Sequence, residues 1–306
     1  MTGRAALSAA FLARAGWGDA TRSFLAGDAS DRSYDRLWRP GGPAVLMDAP
    51  PGKGDDPAAF VAIARHLSAL GLSAPRVLAQ DQAHGFLLLE DLGDALYARV
   101  LATDPAREWL LYAAATDVLS HLHRHPAPGG LSDLSADDWA DAALFALDWY
   151  RFAATGGRVE GATFRTVLRD LIATHADGPR VLILRDYHAE NLLWLPDRAG
   201  IARVGLLDFQ LAQMGQPGYD LVSLLQDARR DVGPQTGAAM IARFAETADC
   251  DPAAFARACA VLGVQRGLAL VDTQPGVDAV VVDAHGVLHA SSGLLHGASA
   301  VRETCQ

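Results

Sequence analysis

The pattern of apolar residues changes near residue 93, and this change limits the folds open to the chain. Residues 20–92 contain short alternating segments separated by glycine and proline, which predicts a small β-sheet. Within them, Asp56 and Pro57 begin a helix that ends at Gly71. After Gly93 the apolar spacing becomes helical over long stretches, at 104–125, 135–155 and 161–176. The sequence therefore predicts an α+β fold with two lobes.

The predicted N-terminal lobe comprises residues 1–92 and holds an antiparallel sheet with one helix in it. The predicted C-terminal lobe comprises residues 93–306 and is mainly helical, with two short strands near 181–195. An amphipathic helix is also expected at the N-terminus, with Leu7 and Phe11 on its apolar face. We favour this helix over a signal peptide, because the apolar part is short and dominated by alanine.

Composition excludes several classes of protein. Half of the 306 residues are hydrophobic, which is enough for a substantial core, and the net charge of −10 argues against nucleic acid as the main partner. The three cysteines lack the paired spacing of a zinc site and favour a reducing cytoplasm. The sequence contains no segment that approaches the ~18 apolar residues of a membrane span. We expect a cytoplasmic protein without a membrane partner, and the oligomeric state stays open.

A polar loop lies between two apolar runs, VLIL and LLWL, in residues 181–195. Runs of this kind are typical of short buried strands, and we expect the two strands to form a hairpin. The loop between them has no glycine, although a tight hairpin turn would use one. It carries Asp186 and, five positions later, Asn191, and Asp208 ends another apolar strand seventeen residues further on.

Phosphoryl transfer needs these residue types. A carboxylate must position the attacking hydroxyl and accept its proton, and oxygen ligands must hold Mg²⁺ against the nucleotide phosphates. Carboxylate and amide oxygens are ligands that suit magnesium. We therefore predict Asp186 as the catalytic base and Asn191 and Asp208 as metal ligands, in the order and spacing of the protein-kinase catalytic loop and its metal-binding aspartate. A solvated polar turn would explain the loop alone, but not the aspartate that follows at this distance.

Two segments, RDYHAENLL and LLDFQLAQMGQPGYDLVSLL, resemble the catalytic core of the aminoglycoside phosphotransferase-like kinases. LAGDASDRSYDRL, VLMDAPPGKGDD and LLLEDLGD resemble the same group in the same order, so the resemblance covers roughly residues 5–268. Within the group, the chain is most similar to the anomeric kinases of N-acetylmuramate and N-acetylglucosamine. The resemblance implies a protein-kinase-like fold, ATP and Mg²⁺ as cofactors, and a small sugar as substrate. Residues 269–306 form an atypical tail in which we place no site.

Further site residues follow from the lobe order and the resemblance. Residues 27–34 are the expected phosphate loop, because backbone N–H groups at a strand turn can approach phosphates closely, although a plain turn is the alternative. The predicted cofactor-binding residues are Asp28, Ser30, Arg32, Ser33, Glu90 and Leu92. At Glu90 the backbone, more than the side chain, is expected to bond adenine. The predicted substrate-binding residues are His188, Glu190, Gln210, Asp227 and Arg230. Asp220 either supports the catalytic loop or caps its own helix.

Two departures keep other functions open. The third strand, AVLMDAPP, lacks the lysine with which protein kinases grip the nucleotide phosphates, and either Lys53 or Arg32 could replace it. Leu184 stands where the kinase loop usually has histidine. The favoured function is phosphorylation of the anomeric hydroxyl of an amino sugar. The alternatives are a kinase of another small hydroxyl compound, such as an aminoglycoside or choline, and a nucleotide-binding pseudokinase scaffold.

Overall fold

The structure, a computed structural model, describes most of the chain as two compact units. The described residues are 3–27, 32–53, 56–175, 178–227, 229–247, 280–282 and 288–290. Unit 1 consists of Met1–Arg107 and Glu190–Ala212, and unit 2 consists of Glu108–Ala189 and Gln213–Gln306. The lobe boundary near residue 92 stays a prediction.

Unit 1 is built on a five-stranded antiparallel sheet. Its strands are β1 (Thr21–Gly27), β2 (Ser33–Arg39), β3 (Gly42–Asp48), β4 (Val77–Asp81) and β5 (Phe86–Glu90). They lie in the order β1-β2-β3-β5-β4, and every neighbouring pair is antiparallel. The antiparallel sheet predicted for the N-terminal lobe is confirmed, and β2 with β3 and β4 with β5 form hairpins in it. The turn before β5 needs glycine, since a Cβ on Gly85, whose φ is +72°, would lie 1.8 Å from the carbonyl oxygen of Ala49.

Helix α1 (Arg4–Arg14) packs against one face of this sheet. Phe11 is buried there beside Leu37 and Phe86, and its ring stacks on that of Phe86 at 5.8 Å between centroids. The Arg4 guanidinium lies 4.1 Å from the centroid of the Phe86 ring, and its Nε donates to Asp48 Oδ1 at 2.8 Å. The predicted N-terminal amphipathic helix is therefore confirmed.

Helix α2 (Pro57–Ala69) begins and ends where its local signals predict. The Asp56 carboxylate accepts a hydrogen bond from the backbone N–H of Ala58 at 2.8 Å, which satisfies one of the free donors of the first turn. Gly71, with φ at +78°, follows its end. The Phe60 ring stacks on Phe209 at 4.9 Å between centroids, so α2 supports the segment that carries Asp208.

Unit 1 is completed by one helix and two short strands. These are α3 (Tyr97–Thr103), β7 (Leu192–Trp194) and β8 (Val204–Leu206). Unit 2 contains helices α4 (Glu108–Leu122), α5 (Ala136–Phe145), α6 (Phe152–Thr155), α7 (Ala162–His175), α8 (Tyr219–Leu225) and α9 (Pro234–Thr247). Its strands are β6 (Val181–Ile183), β9 (Gln213–Gly215), β10 (Val280–Val282) and β11 (Leu288–Ala290). The three long helical stretches predicted from the sequence are present, and a π-helical segment, Ala146–Arg151, separates α5 from α6.

The predicted hairpin in residues 181–195 is wrong. Strand β6 pairs with β9, and β7 pairs with β8, each in antiparallel register. A hairpin between neighbouring strands is favoured by a tight turn of 2–5 residues, and this loop is longer and has no glycine. Each strand therefore pairs with a strand further along the chain, and the loop between β6 and β7 does not close a hairpin.

None of the helices in the described ranges combines the length and the apolar character that crossing a membrane requires.

Candidate active site

Asp186 follows β6 in a loop whose backbone is held by Asp220. The two carboxylate oxygens of Asp220 accept hydrogen bonds from the backbone N–H groups of Leu184, at 2.6 Å, and Arg185, at 2.9 Å. Arg185 has a φ of 73°, a left-handed conformation that is uncommon for a residue with a side chain. Such conformations cost about 1–3 kcal/mol and persist where surrounding contacts enforce them. Asp220 supplies such contacts and fixes the backbone that presents Asp186.

A second anchor lies on the other side of Asp186. The buried Tyr187 hydroxyl donates a hydrogen bond to the backbone carbonyl of Ala115, on α4, at 2.9 Å. His188 is also buried, whereas Asp186 itself is half-buried. The loop is therefore fixed on both sides of its carboxylate.

Asp220 lies in the first turn of α8 but does not cap it. The N-cap of α8 is Gly218, and Asp220 directs both oxygens to the loop, so the helix-cap interpretation is wrong and the support role is confirmed. Complete burial raises the pKa of Asp220 to about 7, and the charge of Asp186 adds to this rise. The N–H groups of Leu184 and Arg185 act in the opposite direction.

We expect Asp220→Ala to lower the free energy of unfolding by about 3 kcal/mol, because two buried N–H groups lose their acceptor. The loss should also depend on pH. The pKa of about 7 in the folded state lies above the ordinary value of 3.8, so the folded protein binds more protons than the unfolded chain between these values. The contribution of this carboxylate to stability is full below pH 4 and falls as the pH rises to 7. Urea titrations at pH 5 and pH 7.5 measure it.

The matched control for this experiment is Asp117→Ala, which removes an ion pair with Arg243 on the surface of the same unit. Exposed pairs contribute about 0–1 kcal/mol, so the control should stay close to the wild-type protein. Equal losses in the two variants would contradict the support role of Asp220.

A cavity of about 340 Å³ opens within unit 1, against β2, β3 and β5. Its volume is in the range of small-molecule sites. Its apolar lining residues include Leu25, Val45, Leu89, Leu193 and Leu207. Five of the predicted site residues also line it: Glu90, Leu92, Glu190, Asn191 and Asp208. These five residues therefore share one cavity, although they come from distant parts of the chain.

Asp208 is held by hydrogen bonds from two other side chains. Its φ is 57°, a second left-handed conformation at a non-glycine residue. Its Oδ1 accepts hydrogen bonds from Arg32 Nη2 at 3.2 Å and from Gln210 Nε2 at 2.8 Å. The preceding residue, Leu207, donates its N–H to the carbonyl of Asn191 at 3.0 Å, which ties the segments of the two predicted metal ligands together. Gln210, predicted to bind substrate, therefore lies against a predicted metal ligand.

The segment after β5 is fixed by Arg36, which the sequence alone does not identify as a site residue. Arg36, on β2, contacts Asp91 at 2.6 Å and Asp94 at 2.7 Å. The Arg36 guanidinium holds the pKa of Asp94 below its ordinary value, which keeps this ion pair charged. Asp91 in turn accepts the N–H of Gly93 at 2.8 Å. Alternating polar residues on β2 were the available signal for Arg36, but they do not identify its partners.

The Glu90 carboxylate is held by two further arginines. Arg198 Nη2 donates to Glu90 Oε1 at 2.8 Å, and Arg76 Nε donates to Glu90 Oε2 at 3.1 Å. The backbone N–H of Glu90 donates to the carbonyl of Arg76 at 2.8 Å. The side chain of Glu90 and its backbone N–H are thus both bonded within the protein, and the expectation that its backbone bonds adenine stays a prediction.

The remaining predicted substrate residues lie in unit 2, after α8. Arg230 donates from both terminal nitrogens to Glu108 Oε2, each at 2.9 Å, and lies 3.4 Å from the Tyr112 hydroxyl. Burial raises the pKa of Tyr112 to about 12, so this hydroxyl stays protonated. Asp227 is buried and accepts the N–H of Arg229 at 2.9 Å. The Arg230 guanidinium, the Tyr112 hydroxyl and the Glu108 carboxylate therefore form one cluster in unit 2.

The predicted phosphate loop is described only in part. Ser33 begins β2 and pairs with Asp48, and Arg32 precedes it. Asp28 and Ser30 lie outside the described residues.

The donor set in the unit 1 cavity suits a magnesium ion. Asp208 supplies a carboxylate that is one-third exposed, and Asn191 supplies an amide oxygen in the same cavity. A cluster of three or more histidine, cysteine, aspartate or glutamate side chains, as a zinc site would have, does not occur among the described residues.

Comparison with solved structures identifies the fold. The GDP complex of wild-type aminoglycoside 2′-phosphotransferase-IIIa superposes with a TM-score of 0.58 at 14% identity, over 82% of this chain and 84% of that one. A choline/ethanolamine kinase family protein from Mesorhizobium loti gives a TM-score of 0.56 at 19% identity, over 85% of this chain and 84% of that one. The predicted protein-kinase-like α+β fold is confirmed.

Comparison with known sequences identifies the family. A relative from Caulobacter vibrioides, named N-acetylmuramate/N-acetylglucosamine kinase, is 40% identical over 300 residues, covering 85% of this chain and 82% of the relative. A relative of the same name from Pseudomonas putida is 33% identical over 276 residues, covering 83% of this chain and 77% of the relative. The model of the phosphotransferase enzyme family matches residues 21–258. The chain therefore belongs to the phosphotransferase enzyme family.

Proposed function

We propose that the protein transfers the γ-phosphoryl group of ATP, with Mg²⁺, to the anomeric hydroxyl of N-acetylmuramate or N-acetylglucosamine. The observation that carries the proposal is that Asn191 and Asp208 line one cavity, in a chain 40% identical to a relative named for these sugars. We further propose a cytoplasmic location and no nucleic-acid or membrane partner, since the net charge is −10 and the sequence has few cysteines.

The nucleotide is proposed to occupy the unit 1 cavity. Its apolar walls, including Val45 and Leu89, suit a flat base, and the arginines that hold Glu90 and Asp91 keep the backbone beside it rigid. Asn191 and Asp208 would hold the metal. Bound magnesium would neutralise charge on the phosphates during transfer. Glu190 and Gln210 are proposed to lie close to the metal and the nucleotide, because Glu190 lines the same cavity and Gln210 bonds to Asp208.

Asp186 is proposed to act on the acceptor. Its carboxylate would accept the proton of the sugar hydroxyl, and it suits this role because Asp220 and Tyr187 hold its backbone on both sides. A base must be held within hydrogen-bonding reach of the proton it accepts, so a rigid loop favours transfer. The other acceptor contacts are proposed to be His188, Asp227 and Arg230, which belong to the same unit as Asp186.

The test uses γ-labelled ATP and a panel of acceptors. We expect turnover of N-acetylmuramate and N-acetylglucosamine and none of choline or an aminoglycoside. The matched control is the 1-O-methyl glycoside of N-acetylglucosamine, which differs only in a blocked anomeric oxygen and should not react. Turnover of this glycoside would show that another hydroxyl is phosphorylated. Good turnover of an amine-bearing alcohol without turnover of either sugar would favour the aminoglycoside or choline alternative.

The pseudokinase alternative makes a different prediction in the same assay. If the protein is a scaffold, it should bind nucleotide but transfer no label to any acceptor. The presence of Asp186, Asn191 and Asp208 together is the observation against it, since a scaffold has no need of all three.

A further inference from the structure

Strand β3 carries no basic residue that could contact the nucleotide phosphates. Protein kinases place a lysine on this strand, where it grips the α and β phosphates. Here Met47 pairs with Tyr34 of β2 and is buried, and the next residue, Asp48, is acidic and is bonded to Arg4. If the cavity of unit 1 binds a nucleotide, another residue must supply the positive charge.

Arg32, which directly precedes the neighbouring strand β2, is positioned to do so. Residues two apart on an extended chain point to the same face, and Arg32 is followed at this spacing by Tyr34 and Arg36, which both line the cavity. Its side chain is only 4% exposed, and its Nη2 lies 3.2 Å from Asp208 Oδ1. The guanidinium is therefore held at the proposed metal ligand Asp208, which itself lines the cavity.

The other basic residues near the cavity are less suited to a phosphate. Arg36 is held by Asp91 and Asp94. Arg99 lies 4.0 Å from Asp94. Neither Lys53 nor Arg32 is among the residues that line the cavity, but Lys53 is exposed in the loop after β3, whereas Arg32 bonds to Asp208, which lines it. Arg32 is buried beside a metal ligand, and it is the better choice.

We infer that Arg32 replaces the third-strand lysine and binds the α and β phosphates of the nucleotide, an inference that rests on the proposed function. A guanidinium carries five N–H donors in a fixed plane, so it can hold a carboxylate and a phosphate oxygen at once. Because the side chain is buried, its charge is less screened by water and acts more strongly on a neighbouring phosphate. The positive charge would thus come from the residue before β2 in place of one on β3, and it would still serve the same phosphates.

The experiment compares ADP with adenosine by calorimetry in the presence of EDTA, so that no metal contributes. We expect Arg32→Gln to weaken ADP about 10- to 100-fold, the effect of losing a hydrogen bond to a charged group, and to leave adenosine affinity unchanged. The matched control, Lys53→Gln, also removes one positive charge and should bind both ligands like the wild-type protein. Circular dichroism and thermal melting establish that each variant is folded.

The results separate a phosphate-binding role from a purely structural one. Unchanged ADP affinity in Arg32→Gln would overturn the inference, and so would an equal loss for adenosine and ADP, which is expected if Arg32 only braces Asp208. Should Arg32→Gln fail to fold, Arg32→Lys keeps the charge but loses the planar fork. Its ratio of ADP to adenosine affinity should fall, and an unchanged ratio would overturn the inference.

The comparison of ADP and adenosine affinities does not depend on which acceptor the protein phosphorylates. A wild-type protein that binds ADP but phosphorylates neither amino sugar would contradict the proposed substrate and leave the Arg32 comparison fully informative. A wild-type protein that binds no ADP would contradict both proposals.

Discussion

Asp186→Asn is expected to lower sugar phosphorylation about 10³-fold while leaving the affinity for ATP unchanged. The substitution keeps the shape of the side chain but removes its ability to accept a proton, and general-base catalysis contributes about 10²- to 10⁴-fold. Nucleotide affinity should not change, because the cavity of unit 1 does not include this residue. Steady-state kinetics with labelled ATP give the turnover, and calorimetry gives the affinity.

A matched control is Asp197→Asn, which makes the same change at an exposed residue and should leave both quantities unchanged. Wild-type turnover no higher than that of Asp186→Asn would favour the scaffold alternative. Loss of ATP affinity in Asp186→Asn, with turnover lowered only in proportion, would assign this carboxylate to the nucleotide instead.

Asp208→Asn should abolish the effect of magnesium on nucleotide binding. The amide oxygen can still accept a hydrogen bond from Arg32 or Gln210, so the fold should persist, but the charge that attracts the metal is gone. We expect ATP affinity in excess Mg²⁺ to fall about 10²-fold, to the value measured in EDTA. Titrations of ATP with and without the metal provide this comparison.

Asn191→Ala should act in the same direction with a smaller effect, because an amide contributes no charge to the metal. An ATP affinity that is insensitive to metal in the wild-type protein would contradict the assignment of both ligands. A metal response retained in Asp208→Asn but lost in Asn191→Ala would show that the amide dominates.

Local signals explain what could be predicted from the sequence. The limits of α2 follow from Asp56, Pro57 and Gly71, each of which acts on the backbone within one turn of itself. The hairpins of the unit 1 sheet follow in the same way from alternation and turn residues. The spacing of Asn191 and Asp208 was informative because strands β7 and β8, which pair with each other, bring these residues to one cavity.

Partners that are distant in sequence explain what could not be predicted. The pairing of β6 with β9 joins strands separated by the whole catalytic loop, and no local pattern specifies it. Asp220 has the same sequence context whether it caps its helix or holds the loop, and only the folded chain distinguishes the two. The arginines that hold Glu90 and Asp91 come from three separate parts of the chain, so their pairing depends on tertiary structure.

Two non-glycine residues with positive φ, Arg185 and Asp208, occur in the described part of the chain, one beside the proposed base and the other a proposed metal ligand. Laboratory evolution for heat tolerance alone would reward glycine or asparagine at both positions, since those residues relax the backbone. Variants selected in this way would tolerate higher temperatures but would have lower catalytic activity. A directed-evolution campaign on this enzyme must therefore score catalytic output in every round, together with survival of heating.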